Sequence, residues 1–129
     1  GPLEAYESNR REVKKLADEV SVFREGRARI LLCPEQFKYT FSFHYDREMF
    51  RDYDNLDENL HKEGIYYVCD SLQVNKLLAP EDSSLIYIDA TGHFMFPNND
   101  IIKRLNREYK RSWVKYPYRD SIYLHKFRK

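Results

Sequence analysis

The sequence predicts one α/β or α+β domain, with a central mixed β-sheet flanked by an N-terminal helix and a basic C-terminal helix. Three observations predict it. Short apolar runs rich in β-branched and aromatic residues, at 28–33, 64–68 and 85–89, alternate with stretches of helical period. A chain of 129 residues can bury one core and is too short for two. Aromatic residues make up 16% of it, so a few large side chains can fill that core although 33% of the residues are charged.

Gly1-Pro2 has the look of a cleaved-tag scar, and the amphipathic helix is expected over 3–25, ahead of a single domain at 26–129. Val13, Leu16, Val20 and Phe23 recur at three- and four-residue spacing, with charged residues outside them. That apolar stripe either packs on its own domain or pairs with a second copy or a partner. Gly26 ends the helix, and the strand 28–33 stops at Pro34.

Phe37, Tyr39, Phe41, Phe43 and Tyr45 alternate with polar residues, which predicts a half-buried strand whose aromatic face is core or a platform for unpaired bases. The acidic stretch 46–62 is partly helical, capped by Asp46, and lacks the spacing of a calcium loop. After the strand near Ile65, Asp70 or Ser71 caps a short helix that leads to the strand 85–89. A turn at 90–92 and an extended 93–96 follow. Pro97 and Asn98-Asn99 then open the last helix, with Ile101, Leu105, Tyr109 and Trp113 as its apolar stripe and Lys103, Arg104, Arg107, Lys110 and Arg111 outside. A final strand is expected over 121–127.

Charge is segregated along the chain. Residues 1–33 carry seven basic and six acidic groups, residues 34–100 five and thirteen, and residues 101–129 ten and two, for a total of +1. The basic final quarter suits a polyanion or an acidic protein surface. Cys33 and Cys69 form no C-x-x-C pair, which favours a reducing, intracellular setting over a disulfide scaffold or a zinc site. No apolar run is long enough to span a membrane. The four histidines are scattered, and four glycines build no phosphate-binding loop.

The order Gly64-Ile65-Tyr66, then Tyr87-Ile88-Asp89, then a helix carrying an Arg resembles the signature of GIY-YIG endonucleases over residues 64–111. The resemblance implies that Tyr66 and Tyr87 lie side by side on adjacent strands, that Arg104, or Arg107 in its place, offsets phosphate charge, and that a divalent metal takes part. Asp89 stands where that family has Gly, and no acid is placed for the metal-binding Glu, so the resemblance describes a divergent or catalytically incomplete module. Leu85–Gly92 is also similar to the opening strand of transposase RNase-H cores, which would make Asp89 a metal ligand. Two functions follow as expectations. One is a nucleic-acid-associated domain that contacts phosphate through Lys103, Arg107, Lys110 and Arg111. The other is a protein-interaction module that uses the Val13–Phe23 helix as a homodimer or docking surface and its basic tail against an acidic partner.

Overall fold

A computed structural model describes residues 2–24, 28–92, 99–117 and 121–129, with only the backbone of residues 2, 3 and 5–8. Its elements are α1 (Pro2–Phe23), β1 (Arg29–Cys33), α2 (Phe37–Tyr45), α3 (Arg47–Arg51), a 3-10 turn (Tyr53–Asn55), α4 (Leu56–Lys62), β2 (Ile65–Tyr67), α5 (Ser71–Leu77), β3 (Ser84–Asp89), α6 (Asp100–Asn106), β4 (Lys110–Tyr116) and β5 (Ile122–Arg128). The strands form one mixed sheet in the order β2-β1-β3-β5-β4. The first three are parallel, and β5 and β4 are antiparallel to their neighbours. This is the single α+β domain with a mixed sheet that the patterning predicts.

Alternation along the strands sorts the core into two halves. Ile30, Leu32, Ile65, Ile86, Ile88 and Leu124 meet α1 to α4 on one face. Leu31, Leu85, Tyr87 and Phe127 meet α5 and α6 on the other. Since β1 and β3 are buried on both faces, they read as continuous apolar runs rather than alternating ones. At the entry to β2, Gly64 has φ +75°, a left-handed conformation that side chains resist, and an added Cβ would sit 3.2 Å from the Arg24 guanidinium.

Helix starts follow their caps. Asp46 accepts from the Met49 amide, Asp70 from the Gln73 amide, and Asn99 from the amides of Ile101 and Ile102. Of the two packings that the sequence leaves open for α1, the intradomain one is found. Val13, Leu16 and Val20 are buried against the sheet, while Phe23 is half-buried beneath the cations of Lys126 and Arg128. Glu19 ties the helix down by bonding Lys126 at 2.6 Å and the Tyr116 hydroxyl. The expected dimer or docking stripe is therefore consumed by the fold, because it is the apolar surface that covers this face of the sheet.

Two elements differ in kind from expectation. Phe37–Tyr45 is a helix, since Phe37, Phe41 and Tyr45 are spaced by four as well as by two, and Lys38 and Ser42 are buried beside them. The Ser42 hydroxyl donates to the Lys38 carbonyl at 2.7 Å, a bond that only helical backbone offers. The basic helix also ends early. It stops at Asn106, and the chain from Lys110 is a strand paired with β5 along its whole length. Gly26, the expected extension at 93–96, Pro97 and Asn98 lie outside the described residues.

Candidate functional site

Tyr66 and Tyr87 both stand opposite Leu31, so they share register and sheet face, yet β1 lies between them. Two strand spacings put them about 10 Å apart. Tyr87 is sealed beneath α6, 0% exposed. Tyr66 is half-buried at the β2 edge, stacked on His61 at 4.9 Å with the Arg29 guanidinium over its ring. Arg104 points elsewhere. Its Nε bonds Asn75 on α5 at 2.6 Å, and its guanidinium pairs with Glu108 at 3.1 Å. The adjacent-tyrosine arrangement that the resemblance implies is thus replaced by three separate environments, and the reason is the insertion of β1 between β2 and β3.

The carboxyl end of β3 instead holds a buried polar network. Asp89 is 0% exposed and accepts from the Thr91 amide at 2.9 Å, from the Thr91 hydroxyl and from the Asn99 side chain at 2.7 Å. The Asn99 amide also reaches the Tyr87 hydroxyl at 3.3 Å while its oxygen caps α6. Burial raises the Asp89 pKa, and the bonds from Thr91, Asn99 and Tyr87 oppose that rise. Burial foremost, then the Asp89 charge, lifts the Tyr87 phenol and pushes the Cys33 thiol up to about 11. Asn99 is the member that ties this network to the start of α6, and its bond to Asp89 orients the amide whose oxygen caps the helix. Among the described residues no three His, Cys, Asp or Glu side chains gather as a metal site would require.

The basic residues are divided by the strand that replaced the helix. Arg111, Trp113 and Lys115 alternate on the face of β4 that α6 shares, opposite Phe127, His125 and Tyr123 of β5. Lys110 lies on the opposite face, the α1 side, together with Val114 and Tyr116. Lys103 and Arg107 are exposed on α6 and at its end. Trp113, expected on a buried stripe, is 53% exposed and rests against Tyr123 with ring centres 6.0 Å apart.

Behind this face sits His125, 1% exposed and stacked between Tyr87 and Tyr123. Burial, and then the Arg111 charge, hold its pKa down to about 4. Its Nδ1 accepts from the Arg111 guanidinium at 3.2 Å, which puts the ring proton on Nε2 and fixes the arginine at the rim. The pairing of Trp113 with a buried histidine escaped sequence reasoning, because register between two strands is not a local property. The strand itself had one signal: Arg111-Ser112-Trp113-Val114-Lys115-Tyr116 alternates in size and includes β-formers.

Comparison with protein-family models, with curated proteins and with solved structures finds no match. Among the described residues, no helix is long and apolar enough to cross a membrane.

Proposed function

We propose that the domain binds nucleic acid, with single strands as the preferred form, on the β4 face beside α6. The observation that carries this reading is Trp113, a large ring more than half exposed and flanked on its own face by Arg111 and Lys115. An unpaired base can stack on such a ring whatever its identity, while the flanking cations meet the backbone on either side. Lys103 and Arg107 extend the positive surface toward α6. The +8 charge of residues 101–129, ten basic groups against two acidic, supplies the long-range attraction. Lys110 is assigned a lesser part, as its side chain is on the other face of the sheet.

Cleavage is not part of the proposal. Phosphodiester hydrolysis needs its base and its charge-stabilising group around one reacting phosphate, and Tyr66, Tyr87 and Arg104 occupy three environments. Docking through the Val13–Phe23 stripe is not proposed either, since that stripe covers the sheet.

Fluorescence anisotropy with a labelled single-stranded oligonucleotide tests the binding. Four phosphate contacts at about 0.7 each predict a slope of log K against log salt near −3. Arg111→Glu with Lys115→Glu should abolish binding, and Lys110→Glu should weaken it far less. Affinity that ignores salt, or that falls equally for Lys110→Glu and Arg111→Glu, removes the proposed face.

A further inference from the structure

On the far side of the sheet a second cationic surface is concave. Arg10, Arg11 and Lys14 of α1, His44 of α2 and Arg47 of α3 line a cleft of about 360 Å³, and all five described lining residues are bases. Three helices contribute to it, so the grouping is a product of the fold rather than a run of sequence. Among the described acids nearby, Asp46 caps α3, Glu48 pairs with Arg51 at 2.6 Å and Glu12 with Lys15 at 3.1 Å, while Asp18 pairs with Lys14 of the cleft itself at 2.7 Å, a contact that a bound anion would have to displace.

Phe43, beside the cleft, is in contact with two of its bases. The Arg47 guanidinium lies 4.3 Å from the centre of the Phe43 ring, and His44 meets the same ring edge-on at 5.0 Å. Arg47 is exposed, and the ring contact is what anchors its guanidinium at the cleft. The His44 pKa is lowered by burial first and then by the charges of Arg10, Arg47 and Lys14. Cations brought together in this way repel one another, and the repulsion is relieved when a multiply charged anion sits among them.

We propose that the cleft between α1 and the α2–α3 corner is an anion site for a compact phosphate compound of the pyrophosphate type, with Arg11, Lys14 and Arg47 as its principal charge donors. Its concavity suits a small ligand, in contrast to the strand face of β4. The two sites lie on opposite faces of the sheet and stand or fall separately.

The test uses the intact chain and inorganic pyrophosphate, followed through the His44 imidazole resonances at constant ionic strength. A saturable shift with a Kd below about 1 mM is expected, together with a rise in the His44 pKa in the complex. Arg11→Gln with Arg47→Gln should raise that Kd by about tenfold or more, whereas Arg111→Glu with Lys115→Glu should leave it unchanged. The substituted positions are exposed, and Lys14→Gln alone provides a second variant if the double one melts early. A linear response equal to that of chloride, or a Kd unchanged in both variants, overturns the proposal. Association with anionic lipid vesicles but not with pyrophosphate overturns it as well.

Discussion

Replacing His125 by Gln should flatten the acid side of the stability curve. In the native protein the ring is 1% exposed and its pKa is held down to about 4, against 6.5 for a free histidine. Because the folded value is the lower one, the unfolded chain takes up the proton first. The stability is complete above pH 6.5 and declines as pH falls toward 4. At ~1.4 kcal/mol per unit the gap corresponds to roughly 3 kcal/mol, most of which is lost between pH 7.5 and 4.5. The physical cause is burial of the ring first, and then the Arg111 guanidinium, which donates to Nδ1 at 3.2 Å and would face a hydrogen there if the ring were protonated.

Other groups also titrate in acid. Asp89 has a raised folded pKa, so it adds stability as pH falls toward its unfolded value near 3.8, while Glu19 and His44, with lowered values, remove some. All three are common to wild type and variant. Urea unfolding at pH 7.5, 6.5, 5.5 and 4.5 should therefore give a difference between the two proteins that changes by about 2–3 kcal/mol across the series. Parallel curves would refute the reasoning, as would a His125 imidazole that titrates near 6.5 in the folded state.

Leu16→Ala should lower stability by about 2–5 kcal/mol in urea melts without altering the oligomeric state in sedimentation, because Leu16 is packed inside its own domain. A loss of dimer at unchanged stability would reinstate an interaction role for that helix. Asn99→Ala should cost about 1–3 kcal/mol, since it removes two cap bonds and leaves Asp89 without its 2.7 Å donor. Amide exchange in α6 should accelerate before exchange in β3, and uniform acceleration would show that the network does not act on the helix start.

What could be read from the sequence depended on whether the determining contacts are local. Asp70 and Asn99 announce their helices because a cap acts within three residues, and β1 and β3 announce themselves because strands buried on both faces are apolar throughout. Phe37–Tyr45 misleads because an aromatic at every second position is also an aromatic at every fourth, and only packing against α1 selects the helix. The Ile101, Leu105, Tyr109, Trp113 spacing likewise runs past the true helix end. No Gly or Pro marks the break at 107–109, and the ladder to β5 overrides the helical period. The candidate site suffered most from this. Lys103 and Arg107 keep the exposure expected of them, Lys110 and Arg111 part to opposite faces, and Trp113 moves from an expected core position to the surface. The place of β1 between β2 and β3, which separates Tyr66 from Tyr87, has no local signature at all.

Trp113 is the single tryptophan of the chain, so its emission reports on the proposed binding face without any label. Titrating the protein with a single-stranded oligonucleotide at low salt should quench that emission as bases stack on the ring, with the quench reversed by added salt. Emission that stays constant while the oligonucleotide is bound would contradict the assignment of this face.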